Sequence, residues 1–413
     1  MRKFIKNFID NKGVWVMFSL VLVKVGFFVM NILIIRWLTK EDYGRIYIAI
    51  NYVSFFMAMV GMGNYQGVLR YNSIMKKGRK STLIKDYAMG EGLKRQMLLN
   101  IGMLILAFVF FGSRFSILEI IAWLSIRFLG FYFLEFAKVE ARSDFDNKKF
   151  VLYDVSYTLS SLILGIGLTY FFGAKGYLTS LCVSPYVLFL FKRFRFSFRR
   201  PEIDFNFKEF WHFSWVTALT TQISGWIFML DIFMIGNMLP NTSVVDYRVA
   251  SIIPFNLLFI GQIFMQTDYP KLCKEHRNIP FLKKYITNYT LVMLAFSVII
   301  FLVSHFFSTE ILGIFGKNYK DSSLFNILIF GTMSALLVRI PYGNFLAALG
   351  KSHWNLLIAI FINLFIVAGL YFVIPKYGLK GVAYFTVGTI TLSGVLSMMA
   401  FFHEIKKSNT FAE

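Results

Sequence analysis

Acidic residues and cysteines are what this sequence has least of. Its 413 residues include 22 aspartates and glutamates against 43 lysines and arginines, with two cysteines and eight prolines. Only 16% of the chain is charged, well below the roughly 25% usual in soluble domains. That is too little polar surface to cover a core drawn from 57% hydrophobic residues, so a soluble globular protein is excluded. Cys182 and Cys273 lie far apart and offer neither a disulfide framework nor a thiolate metal site. His212, His276, His305, His353 and His403 lack ligand spacing, which argues against zinc or haem, and no cofactor is expected. The absence of a G-x-x-x-x-G-K loop excludes an ATP-driven pump for this chain alone.

What is present is a series of apolar runs long enough to cross a bilayer. The first, within GVWVMFSLVLVKVGFFVMNILIIRWLTKEDYGR at 13–45, carries Lys24 near its middle and ends at Arg36-Trp37. No small-residue cleavage site follows it, so it reads as an uncleaved first span rather than a signal peptide. Before it, Phe4, Ile5, Phe8 and Ile9 recur at helical spacing among lysines, as in a helix lying on the membrane surface. The spans fall at about 14–38, 44–67, 88–112, 116–140, 149–172, 176–195, 209–238, 245–268, 284–307, 322–349, 353–374 and 379–403. The expected fold is therefore all-α and polytopic, with about twelve transmembrane helices.

The net charge of +21 is a topology signal. Alternate loops are rich in lysine and arginine: Arg70–Lys85, Lys138–Lys149, Lys192–Lys208, Lys271–Lys284, and both ends of the chain. The intervening loops carry one or two cations each, such as Lys40, Arg114, Lys175 and Lys380. The positive-inside rule then places both termini and all the rich loops in the cytoplasm. With the cations accounted for in this way and no soluble module left over, no nucleic-acid partner is expected.

An internal repeat divides the chain. LTYFFGAKGY at 168–177 resembles LYFVIPKYGLKGV at 370–382, placing Gly173-Ala174-Lys175-Gly176 on Gly378-Leu379-Lys380-Gly381. Tyr43 and Tyr247 each follow the first span of a half, and Arg127 and Arg339 occupy comparable places in the fourth. The expectation is two six-helix lobes of the same orientation, related as a parallel repeat: residues 1–198, a cytoplasmic linker at 199–208, and residues 209–413. The join, KRFRFSFRRPEIDFNFKEFWHF at 192–213, has a basic first half suited to an anionic inner leaflet.

Ionisable residues inside a membrane are costly and mark pathways or pairs. Lys24, Arg127 and Arg339 lie near mid-span, and Arg36 and Asp231 nearer the outer side. One reading is a cationic cavity that receives a phosphate-bearing head, with arginine offering planar donors and lysine a point charge. The other pairs each cation with a carboxylate: Arg36 with Asp231, and Arg127 with Glu119 or Glu135. Gln222, with Thr217, Thr220, Thr221 and Ser224, gives the seventh span a polar face that either bonds sugar hydroxyls or joins helices. Pro185, Pro254 and Pro341 bend their helices and free carbonyls, as hinges or as static kinks.

The nine residues Arg36–Gly44 (RWLTKEDYG), Leu230–Gly236 (LDIFMIG) followed by Val245–Ala250 (VDYRVA), Tyr269-Pro270-Lys271 and Ala347–Lys351 (AALGK) resemble segments of a known family. It is the Wzx-type polysaccharide flippases of the multidrug/oligosaccharidyl-lipid/polysaccharide exporter superfamily. Asp246 stands where that family usually has glycine. The resemblance implies two six-helix lobes around a central cavity in a bacterial cytoplasmic membrane. It also implies translocation of undecaprenyl-pyrophosphate-linked oligosaccharide for O-antigen or related polysaccharide. Expected partners are that lipid-linked substrate, the phospholipid membrane, a proton or sodium ion for coupling, and the polysaccharide polymerase machinery. The substrate-binding candidates are Lys24, Arg36, Arg127, Arg339, Asp231 and Gln222. Two alternatives stand beside this reading. A gradient-coupled drug or metabolite exporter of the same superfamily sits poorly with mid-span cations, which repel cationic drugs. A membrane-embedded polymerase or ligase, an enzyme, needs a sizeable extracytoplasmic loop, and the longest outer loop here is the short one near 308–321.

Overall fold

The computed structural model describes the backbone of residues 13–74, 78–144, 146–275, 278–316, 319 and 322–410, and side chains for most of these from residue 25 onward. Among the described residues every regular element is helical. The helices are α1 (Gly13–Trp37), α2 (Lys40–Ser54), α3 (Asn64–Ile74), α4 (Arg79–Phe111), α5 (Phe115–Ser143), α6 (Asn147–Val183), α7 (Phe207–Trp226), α8 (Leu230–Met238), α9 (Asn241–Lys274), α10 (Ile279–Gly313), α11 (Ser323–Ser334), α12 (Ile340–Ala348) and α13 (Ser352–Thr410). Short 3₁₀ segments at Met57–Gly63 and Ser184–Leu190 and a π-helical turn at Ala335–Arg339 interrupt them. Seven of the described helices are long and apolar enough to cross a membrane, and two bent pairs raise the number to nine. Exposed Leu98, Ile101, Ile105 and Phe108 on α4 recur at helical spacing, a stripe that only lipid can cover.

The longest of these helices are not straight rods. The segment Ser352–Lys407 holds 56 residues, about 84 Å of continuous helix at 1.5 Å per residue, against a hydrocarbon core of about 30 Å. Yet Phe365 and Phe385 stack with ring centroids 5.4 Å apart, although a straight helix would separate them by about 30 Å. The chain therefore folds back between them, at Gly378, whose φ and ψ are 57° and −148°. In α6 the same reversal occurs at Gly173, with φ 56° and ψ −135°, and brings Gly165 beside Ser180. This backbone region is nearly closed to residues with a Cβ. Nothing lies within 4 Å of a Cβ built at either glycine, so the backbone alone sets the cost of substitution. Gly173→Ala and Gly378→Ala are each expected to destabilise the protein by about 1–3 kcal/mol, read from thermal unfolding in detergent.

The chain packs as two compact units, Met1–Gln222 and Ile223–Glu413. Sequence repetition puts the division near residue 198, whereas packing puts it within α7. The reason is local, because Gln222 and the residues before it are bonded into the first unit, as described below.

Each unit staples its first helical pair with a buried tyrosine. In the first unit Thr39 caps α2, its Oγ1 accepting from the Asp42 backbone N–H at 3.1 Å, the N-cap geometry that frees a helix start from orphan donors. Tyr43, one residue on and fully buried, brings its hydroxyl within 3.5 Å of Asn31 Oδ1 on α1. In the second unit Tyr247 of α9 donates to Asp231 Oδ2 of α8 at 2.7 Å.

Candidate functional site

In the first unit the second span is broken. Helix α2 and the Met57–Asn72 segment meet at 41°, and between them Val60, Gly61 and Met62 leave helical geometry. Met62 has a φ of 50°, a left-handed conformation that costs a residue with a Cβ about 1–2 kcal/mol. Backbone groups freed inside a bilayer must find protein partners, and two glutamines supply them. Gln96 Oε1 accepts from the Gly61 N–H at 2.8 Å. Gln222 Oε1 accepts from the Ala58 N–H at 2.7 Å, and its Nε2 donates to the Ser54 carbonyl at 3.3 Å. Tyr65 and Asn64 add bonds to the carbonyls of Ala58 and Ala88, each at 2.9 Å.

Helix α5 carries Arg127. Its N-terminal half is held to the 182–186 segment by Cys182 Sγ on the Trp123 carbonyl, 3.1 Å, and by the Tyr186 hydroxyl on the Ile126 carbonyl, 2.7 Å. The Arg127 guanidinium lies 5.1 Å from the centre of the Phe131 ring, which packs in turn on Tyr157 and, through it, on Phe27 of α1. Its Nε is buried with no hydrogen-bond partner. Glu119 is exposed, and Glu135 is taken by Lys138 at 3.3 Å. Lys138 also binds the buried Asp154 at 2.9 Å, closing a triad of one cation and two carboxylates. Glu91 likewise holds Arg95 and Lys94 at 3.3 and 3.5 Å. Glu91, Lys94, Arg95, Glu135, Lys138 and Asp154 thus pair among themselves, and Arg127 stands apart from them. Arg36 is exposed at the end of α1. The Lys24 side chain lies outside the described residues.

In the second unit Asp231 is buried, 2% exposed. Besides the Tyr247 hydroxyl, it accepts the Ile232 N–H on Oδ1 at 2.7 Å. Tyr247 also lies 3.2 Å from Thr386 Oγ1. Both carboxylate oxygens are therefore engaged within their own unit.

Arg339 ends the π-helical turn Ala335–Arg339 and is followed closely by Pro341. Proline withholds an N–H from the preceding turn, and the Tyr289 hydroxyl donates to the Leu336 carbonyl at 3.1 Å. Such turns recur at functional positions in helices. Arg339 Nε is buried without a hydrogen-bond partner. Its side chain runs toward Gly343, where an added Cβ would lie 2.9 Å from Nη1 and 3.6 Å from Asn355 Oδ1. Asn355 donates to the Gly343 carbonyl at 2.8 Å, while its Oδ1 is buried and unbonded. The Arg339 side chain and an unbonded acceptor, Asn355 Oδ1, thus converge over a glycine.

Sequence reasoning singled out Arg127 and Arg339 but passed over the break at 57–63, its ligand Gln96, and Asn355. Gly61-Met62-Gly63 inside an apolar run was the available signal, since closely spaced glycines weaken a helix and permit positive φ.

Interrupted helices recur at the binding sites of membrane transporters, and the chain is similar in fold to solved structures of such proteins. The chain is similar over 94% of its length to 96% of an inward-facing multidrug resistance MATE family transporter of the MOP superfamily, at a TM-score of 0.68 and 16% identity. It is similar over the same share to 87% of the lipid II flippase MurJ in an inward closed conformation, at 0.65 and 13%. The fold is thus that of multi-pass MOP-type membrane transporters. Residues 33–324 match the polysaccharide biosynthesis protein family, and the chain belongs to that family. A putative O-antigen transporter of Shigella flexneri is 27% identical over 181 residues, 43% of each chain, so the match spans less than half the length of that relative.

Proposed function

We propose that this protein moves an undecaprenyl-pyrophosphate-linked oligosaccharide from the inner to the outer leaflet of a bacterial cytoplasmic membrane, supplying surface polysaccharide assembly. It carries this cargo without making or breaking a bond in it, and so is not an enzyme. The family and the Shigella flexneri relative support the cargo class. The observation that carries the reading is the pair Arg127 and Arg339. Each lies within a membrane helix with a buried Nε that has no hydrogen-bond partner, and neither is paired with a carboxylate among the described residues. A cation kept at such cost is explained by an anion that visits it. A pyrophosphate fits arginine's planar donors, and the prenyl tail stays in lipid while head and sugars cross. Lys24 and Arg36 complete the cationic path. Asp231 and Gln222 are spent on Tyr247 and on the broken second span, and on this reading they hold the fold through which the cargo passes. The path opens to one side at a time, because a continuously open polar channel would leak ions. A proton, a sodium ion or the membrane potential drives it. The same cations disfavour a cationic drug as cargo.

Twelve spans accommodate this reading. The nine described candidates, the two reversals at Gly173 and Gly378, and α1 supply them, with both termini in the cytoplasm. Cysteines replacing Lys175 and Lys380, in a protein otherwise free of cysteine, are expected to react with an impermeant thiol reagent applied from outside, and cysteines replacing Arg199 and Arg277 to stay unlabelled. The opposite pattern would overturn the orientation. Cargo is tested by deleting the protein and analysing the prenyl-linked glycans. Accumulation of a pyrophosphate-linked repeat unit on the cytoplasmic side is the expected result, and an unchanged pool would refute the reading.

A further inference from the structure

The segment after the sixth apolar run, residues 191–206, is not a free linker. The Ser197 N–H bonds the Asp86 carbonyl of α4 at 2.9 Å. Gly90, one turn further along α4, has no side chain in the way: a Cβ there would lie 2.3 Å from the Ser197 carbonyl oxygen. Phe194 packs on Phe133 and Phe189, with centroids 5.3 and 5.4 Å apart. Lys192 is held by Glu140 at 2.5 Å. The strap is thus fixed to the basic end of the first unit at several points. Lys192 and Phe194 are half-buried, and Arg193 and Arg195 are exposed.

Beneath it lies a cavity of about 190 Å³, lined by Lys85, Lys192, Arg193 and Arg195 with the carboxylates of Asp86 and Glu140. The inner cations are already spent, Lys85 on Asp144 at 3.0 Å and on Glu140 at 3.7 Å, and Lys192 on Glu140. Arg193 and Arg195 form no ion pair within 4 Å among the described residues, although the charge of Arg195 acts on the Asp86 carboxylate across the cavity. Beside them Leu190, Phe191, Phe196 and Phe198 are exposed, apolar groups that belong at the headgroup level of a bilayer. Two guanidinium groups carried on an anchored strap at a polar cavity, rimmed by exposed aromatic rings, match a phosphate carried on a lipid. We infer that this strap pocket is a binding site for the phosphate-bearing head of an anionic phospholipid, with Arg193 and Arg195 contacting the phosphate.

The site differs from the diffuse attraction of any basic loop because the strap that carries its arginines is held in place. Arg199 and Arg200 belong to the same strap and are equally exposed, but they lie outside the cavity and so serve as the internal control. The test uses the full chain, stripped of lipid in detergent, titrated with phosphatidylglycerol or phosphatidylcholine and read by native mass spectrometry. Retention of phosphatidylglycerol is expected to fall about tenfold or more in R193Q/R195Q, at about 1 kcal/mol per arginine near an anionic headgroup, and to stay near the parent level in R199Q/R200Q. Gly90→Ala, which displaces the strap with both arginines intact, should lower it as well. Equal loss in the two double variants, or equal retention of phosphatidylcholine, would reduce the site to general surface charge and overturn the inference. Displacement of the lipid by millimolar inorganic pyrophosphate would assign the pocket to free phosphate, overturning its assignment to a lipid head. Binding is read here without transport, so a negative result leaves the flippase reading untouched.

Discussion

Arg339→Ala is expected to lower glycan export about tenfold or more while leaving the folded protein as stable as before or more so. A tenfold loss corresponds to about 1.4 kcal/mol of interaction with the cargo in transit, a modest demand on a guanidinium facing a pyrophosphate. The stability arm separates the two readings of the residue. An arginine that pairs with a carboxylate leaves a buried charge behind when truncated, and such losses run to about 3–5 kcal/mol. Arg339 has no such partner, and its Nε is buried and unbonded, so its removal relieves a cost that insertion scales place near 2.5–3.5 kcal/mol. Arg127→Ala should behave alike, since its guanidinium rests on the Phe131 ring at 5.1 Å and forms no ion pair with a carboxylate among the described residues. Lysine at either position should restore part of the export through charge alone. Export assays on whole cells, set beside melting curves of the purified variants, check both arms. Unchanged export in the combined Lys24, Arg127 and Arg339 alanine variant would sink the cationic path.

Gln222→Leu is expected to do the reverse, removing stability first and export only as a consequence. The glutamine bonds two backbone groups of the broken second span, the Ala58 N–H and the Ser54 carbonyl. Leucine nearly matches its volume and leaves both groups buried without partners, at about 1–3 kcal/mol each. A melting temperature lowered by several degrees, with export per folded molecule close to the parent, is the expected result. Gln96→Leu, which strips the Gly61 N–H, should show the same signature. Were Gln222 a sugar ligand instead, export would fall with no change in melting.

These two cases show what could be read in the sequence. An arginine inside an apolar run is conspicuous because nothing but function or pairing justifies its insertion cost, and Arg127 and Arg339 stood out for that reason. Glu135, offered by the sequence as a partner for Arg127, pairs instead with Lys138 one helical turn away, and the third member, Asp154, comes from another helix. Gln222 was visible as a polar residue on an apolar helix, but its partners are backbone atoms of a distant span, and side-chain patterns do not report on backbone groups. The break at 57–63 escaped because its residues are apolar and pass for ordinary span. Only the two glycines flanking Met62 hinted at it. The turn at Gly173 and Gly378 was matched by its residues alone, and the shared backbone conformation gives that match a physical reason.

That same turn bears on how the chain enters its membrane. A reversal made at one glycine leaves almost no stretch between the rising and the returning helix, so neither can wait in the insertion machinery while the other is threaded. The two must enter together, as a closed hairpin whose backbone polar groups are already satisfied. The tip carries little to identify which side it belongs on, Lys175 in one case and Lys376 and Lys380 in the other. On the proposed topology the cation-rich ends of the hairpin stay at the ribosome's side, and those flanking residues, rather than the turn, direct its placement during synthesis.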